Sequence, residues 1–142
     1  MGLLDDYSGK EGALRPSWEH QGVLAAVHIQ TMGELAAQGL RMFMETTVTD
    51  DCDDLAPDLV VFDKRYTPLA MIDVCIHAEI GAVMDKFKSL VARFPESEFF
   101  VYDYEENVLF KYEIREKCWV SSQNGKVYSK YLKNELMAYF KE

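Results

Sequence analysis

The run Pro57-Asp58-Leu59-Val60-Val61-Phe62, followed by Leu69-Ala70-Met71-Ile72-Asp73-Val74-Cys75-Ile76, decides the fold class of this chain. Both segments are dominated by Val, Ile, Leu and Met and read as buried strands joined by the turn-rich link Asp63 to Pro68. Each also carries an aspartate, one opening the first run and one inside the second. A carboxylate among β-formers costs several kcal/mol unless it is paired, so two of them point to a cation between them.

The helix that follows is the clearest in the chain. Ile80, Val83, Met84, Phe87, Leu90, Val91 and Phe94 recur at helical spacing and form one apolar stripe, which Pro95 stops. Upstream, Ser17 is a plausible N-cap, and Val23, Leu24, Val27 and Leu35 predict a helix to about Gln38, ended by Gly39. Met42 to Val48 alternates as a strand does, and Asp50, Asp51, Asp53 and Asp54 read as an acidic loop. Beyond Pro95, Glu98–Tyr104 and Asn107–Tyr112 predict a hairpin around Glu105-Glu106, with Lys117–Val120 as a third strand. Asn124-Gly125 is a turn signal, and Val127, Tyr128, Tyr131, Leu132 and Tyr139 predict an amphipathic closing helix from Lys126 onward. This order implies an α/β fold in which a central mixed sheet is covered by helices on both faces.

With 142 residues and 49% hydrophobic content, the chain fits one domain, residues 1–142, in which residues 1–15 form a loosely packed arm. The net charge of -9 argues against a protein that coats nucleic acid through a broad basic surface. It is compatible with an acidic pocket that recruits a hard cation, which then meets a phosphate. Three cysteines, Cys52, Cys75 and Cys118, lack CxxC spacing and leave at least one unpaired, so a reduced, cytoplasmic setting is expected. The acidic start Met1–Asp6 does not resemble a signal peptide, and no apolar run reaches membrane-spanning length, so no membrane association is expected. The tyrosines and Trp119 suit either a core rim or an interface, which leaves a homo-oligomer open.

Strand periodicity places Asp73, Cys75 and His77 on one face if the run stays extended, with Ile72, Val74 and Ile76 on the other. An acid with a second polar group two residues on is an arrangement used in metal-assisted phosphodiester hydrolysis, where the acid holds Mg²⁺ and its neighbour positions the attacking water. Asp58 is the natural second oxygen ligand. Zinc at Cys52, Cys75 and His77 lacks the short-loop ligand pair of a structural site, and His20 and His28 read as surface or cap residues. No Walker loop, GxGxxG, HExxH or nucleophile elbow is present.

Pro57-Asp58, the acid in Ile72-Asp73-Val74-Cys75, the helix bearing Lys86 and Lys88, and Glu98-Phe99-Phe100-Val101-Tyr102-Asp103 together resemble the PD-(D/E)XK nuclease superfamily, in particular its small stand-alone restriction-endonuclease-like domains. The resemblance spans roughly residues 17–112. It implies a three-layer restriction-endonuclease-like fold, a Mg²⁺- or Mn²⁺-dependent endonuclease acting on DNA, Asp58 and Asp73 as metal ligands and catalytic acids, and an auxiliary glutamate from the first helix. Glu19 fits that last role because it shares a face with Val23, Ala26 and Val27; its plainer reading is a first-turn glutamate complementing the helix dipole.

The chain departs from the family pattern at Cys75, which stands where the family has lysine. A thiol cannot supply that fixed positive charge. Some relatives carry the lysine on the following helix, where Lys88 is the first candidate by spacing and Lys86 the second. They flank the apolar stripe on opposite sides, so at most one reaches the site, and both could instead be solvated residues covering the core. The competing reading is a catalytically inactive nuclease fold kept as a binding or oligomerisation module.

Overall fold

The computed structural model describes residues 18–45, 48 and 56–140. The expected arm, the Ser17 cap, the acidic loop with Cys52, and most of the end of the strand read to Val48 lie outside these residues. Within them the chain is α/β, with a six-stranded mixed open sheet and one α-helix on each of its faces.

The first helix, α1 (Trp18–Ala37), has its apolar positions distributed almost all round. Only Leu24, Val27, Thr31 and Leu35 are buried, at the spacing of one helical face. Gly39, at φ 77°, ends it. Leu40 N–H reaches the Leu35 carbonyl at 2.9 Å and Gly39 N–H the Ala36 carbonyl at 3.0 Å, which satisfies carbonyls that the helix end would otherwise orphan. Four strands and a helix account for the centre: β1 (Arg41–Met44), β2 (Leu59–Phe62), β3 (Pro68–Cys75), α2 (Ile80–Arg93) and β4 (Glu98–Asp103). Then come β5 (Val108–Glu113) and β6 (Cys118–Ser121), completing the expected three-strand meander.

The strands lie in sequence order across the sheet. Every neighbouring pair is antiparallel except β3 and β4, which are parallel and joined through α2. Period-2 alternation splits the core. Ala70, Ile72, Val74, Phe100 and Tyr102 pack towards α1, while Met71, Cys75, Phe99 and Val101 pack towards Phe87 and Leu90 of α2. In the turn between β4 and β5, the Asp103 carboxylate accepts the Glu105 and Glu106 N–H groups and Asn107 takes φ 56°.

The closing segment is not the expected amphipathic helix. Residues 122–135 run without regular structure, and only Leu136–Phe140 form a short 3-10 turn. Tertiary anchors hold it instead. Ser129 Oγ–H donates to Glu98 Oε1 at 2.6 Å, Lys130 N–H to Glu98 Oε2 at 3.0 Å, and Tyr139 O–H to Glu34 Oε1 at 2.7 Å. Val127, Leu136, Tyr139 and Phe140 are buried against α1 and the sheet. Of the apolar residues read as a helical stripe, Val127 and Tyr139 are buried, Tyr131 and Leu132 are half-buried and Tyr128 is exposed, and the segment is an irregular strap that folds back, with Leu136 N–H on the Val127 carbonyl at 2.8 Å.

Candidate functional site

The β2–β3 register aligns Leu59 with Ile72, so one step further Asp58 lies opposite Asp73. The two are interlocked through each other's backbone. Asp58 N–H donates to Asp73 Oδ1 at 2.8 Å, and Val74 N–H to Asp58 Oδ2 at 2.7 Å. Both carboxylates are thereby held against the strand ends rather than free to swing.

Each face of the sheet then contributes one basic group. From α2, Lys86 Nζ forms an ion pair with Asp73 Oδ2 and also donates to the Ala56 carbonyl at 3.4 Å. From α1, His20 Nε2 lies 3.2 Å from Asp58 Oδ2, with its ring edge-on to Tyr104. Asp73 is 4% exposed. Burial first, then the neighbouring Asp58, push its carboxyl pKa up, and Lys86 opposes that rise without cancelling it. The hydrogen bond to Asp58 raises the His20 pKa above its ordinary 6.5, against the opposite pull of burial.

This arrangement differs from the expected one at three positions. Lys88 is on the far flank of α2, where its Nζ meets Asp85 at 3.1 Å in solvent, and Lys86 takes the place beside Asp73. Glu19 is exposed at the start of α1 and does not face the carboxylates. The buried stripe Leu24, Val27, Thr31, Leu35 extends backward by one turn to residue 20, so His20 is the side chain that faces the sheet. That i, i+4, i+7 relation was the available signal, and the histidine reading as a surface or cap residue is corrected by it. Finally, β3 ends at Cys75, so His77 does not continue its face. It begins a 3-10 turn, is exposed, and pairs through Nδ1 with Asp103 Oδ2 at 3.1 Å.

Cys75 itself is buried under α2. Burial, then Glu79, Asp73 and Asp103, push its thiol up to about 12, so it is a protonated packing residue.

Among the described residues, no group of three or more His, Cys, Asp and Glu is arranged to hold a metal ion. Two carboxylates nonetheless suit one kind of cation. Mg²⁺ keeps most of its waters and binds through one or two carboxylates plus a substrate phosphate. Burial is the first cause of the raised Asp73 pKa and the neighbouring Asp58 carboxylate the second, while Lys86 already lies against Asp73 as one counter-charge. The donor set thus fits a hard, water-retaining ion and not a closed cage.

The His20–Asp58 contact has a pH consequence. A histidine whose folded pKa is raised contributes stability that is complete below about 6.5 and is lost as pH rises through the folded value. Asp73, also raised, acts with the same sign from its ordinary 3.8 upward. Denaturant midpoints should therefore fall between neutral and mildly alkaline pH in the wild type, and His20→Gln should flatten that slope. An unchanged slope in the variant would show that His20 does not titrate against Asp58.

No family model matches this sequence, and a search of the curated proteins finds no significant match. No helix among the described residues is long and apolar enough to cross a membrane.

Proposed function

We propose that this protein is a divalent-metal-dependent nuclease with a restriction-endonuclease-like fold, hydrolysing phosphodiester bonds in DNA. The observation that carries the reading is the placement of Lys86, a helix lysine bonded to Asp73 beside a second, interlocked carboxylate, Asp58. It supplies from α2 the positive charge that Cys75 cannot supply from the strand. The mixed sheet with a helix on each face is compatible with the proposed fold.

Asp58 and Asp73 would hold Mg²⁺ or Mn²⁺, which when bound activates water and neutralises phosphoryl oxygens. The chain's own groups do the rest. The N–H groups of Asp58 and Val74 hold both carboxylates in place. His20 holds Asp58 from the opposite face. Lys86, which pairs with Asp73 and keeps contact with water, would face the attacking oxygen or the charge that builds on phosphorus.

Thermal denaturation with and without millimolar Mn²⁺ tests the cation site. At about 100 times its dissociation constant, an ion that binds only the folded state adds ~2.7 kcal/mol, or roughly 8 °C for a chain of this size. Asp73→Asn should abolish the gain. A wild type whose melting temperature ignores Mn²⁺ would refute the site. If the metal binds but plasmid and single-stranded DNA both stay intact, the inactive binding-module reading replaces the enzyme.

A further inference from the structure

The outward face of α1 is unexplained by anything within the protomer. Trp18, Gly22, Ala25, Ile29, Met32 and Ala36 recur every four and three residues, the spacing of a helix–helix seam. Gly22 is half-buried and the others face solvent; Trp18 is 93%, Ile29 66% and Met32 53% exposed. Large apolar side chains in one contiguous exposed row mark a contact surface.

The glycines strengthen the point. Each costs the helix interior about 1 kcal/mol relative to alanine. A methyl group at Gly22 or Gly33 would meet nothing within 4 Å, so packing inside the protomer gives no reason for either. Their smallness serves something that approaches from outside.

A membrane surface is a poor occupant. Interfacial helices place Lys and Arg beside the apolar face, and α1 has neither; its polar positions are Glu19, His20, Gln21, His28, Gln30, Thr31 and Glu34. The net charge of -9 adds repulsion from anionic lipid.

The row is instead complementary to itself when reversed. In an antiparallel pair of α1 helices centred between Ala25 and Ile29, Trp18 faces Ala36, Gly22 faces Met32, and Ala25 faces Ile29. Every large side chain meets a small one. Such a two-fold contact is isologous and closes at two copies. Beside Ala36 lies a groove of about 810 Å³ between α1 and the strap, lined by Ile29, Gly33, Glu34, Ala37, Lys130 and Lys133, among others, with Glu34 turned to the Tyr139 hydroxyl and the Lys133 N–H. It has room for an indole. Like flanks face each other in an antiparallel pair, so exposed Glu19 of one copy lies on the groove side, towards Lys130 and Lys133 of the other.

The area suffices as well. A helix of 20 residues is about 30 Å long and about 10–12 Å across with its side chains, and the groove beside it widens the contact further. A two-fold contact on that scale lies at the small end of specific interfaces, near the roughly 1,200 Å² in total where standard ones begin. We propose that the protein forms a homodimer through antiparallel packing of α1, with Trp18 of each copy seated against Gly33, Ala36 and Ala37 of the other.

Sedimentation equilibrium on the full chain tests this, with tryptophan emission read in parallel against Trp18→Phe to isolate Trp18 from Trp119. The wild type should have twice the 16.3 kDa chain mass at micromolar concentration. Gly22→Leu is the discriminating variant. It should leave the helix intact or firmer, because the space is open in the protomer, yet weaken the dimer at least tenfold by colliding with Met32. Trp18→Ala should weaken it comparably, with an unchanged circular-dichroism spectrum in both variants. A wild type that stays monomeric at about 100 μM, well above the micromolar affinity expected of a specific contact, overturns the proposal. If that monomer's Trp18 already emits as a buried indole, residues 1–17 of the same chain are the occupant. A dimer that withstands both substitutions is built on another surface and overturns it equally.

Discussion

Lys86→Ala is expected to destroy metal-dependent cleavage and to cost about 3 kcal/mol of stability, while Lys88→Ala changes neither appreciably. The stability loss follows from Asp73. Its carboxylate is 4% exposed and ion-paired to Lys86, and removing one member of a buried pair leaves an uncompensated charge, at ~3–5 kcal/mol. The lower figure applies because the ammonium retains contact with water. Among the described residues Lys88 pairs with Asp85 in solvent, where such contacts are worth less than about 1 kcal/mol. Acid should relieve the defect, since Asp73, already raised in pKa, takes up a proton once its cation is gone. The loss of cleavage should be about 10²–10³-fold, the usual consequence of removing one preorganised charge-stabilising group. Manganese affinity should survive, because that charge acts in the transition state and is not needed to hold the ion. Urea titrations at pH 5 and pH 8, with nuclease assays on both variants, decide it. Equal destabilisation by the two substitutions would mean that the Lys86–Asp73 pair contributes nothing.

The second large effect concerns the strap. A chain ending at Gly125 should not fold. Val127, Leu136, Tyr139 and Phe140 are all buried on the α1 side of the sheet, and the Phe140 ring lies 4.4 Å from that of Tyr102. Truncating a buried leucine or phenylalanine alone costs about 2–5 kcal/mol, so losing four such anchors is comparable to or larger than the ~5–15 kcal/mol margin of an ordinary domain. Leu136→Ala by itself should lower stability by about 3 kcal/mol with the fold intact. A soluble truncated chain with a cooperative unfolding transition would show that the strap is an accessory. Because the strap also forms one wall of the groove beside α1, such a chain would separate folding from dimerisation.

Local pattern carried much of the architecture. The stripe from Ile80 to Phe94 marks α2, Gly39 ends α1 with the backbone turn that only glycine adopts at ease, and the alternating runs after Pro95 become β4, β5 and β6. These features depend on neighbours within one or two turns or on period-2 burial, and both are properties of a linear sequence. The closing segment shows the limit. Its apolar spacing suits a helix equally well, but Glu98 and Glu34 offer hydrogen bonds that hold it as an irregular strap, and those partners lie tens of residues away or more.

The site divides along the same line. Asp58 and Asp73 were legible because a carboxylate in a run of Val, Ile and Leu is anomalous wherever it occurs. The choice between Lys86 and Lys88 was not, since both border the same stripe and spacing is silent on which flank of α2 overlies the end of β3. The same is true of His20 and Glu19, adjacent residues some 100° apart on α1. Once Leu24, Val27 and Leu35 are fixed against the sheet, His20 turns inward and Glu19 outward. Residue chemistry alone thus determined that this chain places two acids together between its helices, Asp73 buried and Asp58 half-buried. Which basic groups answer them was decided only by tertiary structure, because that depends on how each helix is rotated as its apolar face settles on the strands.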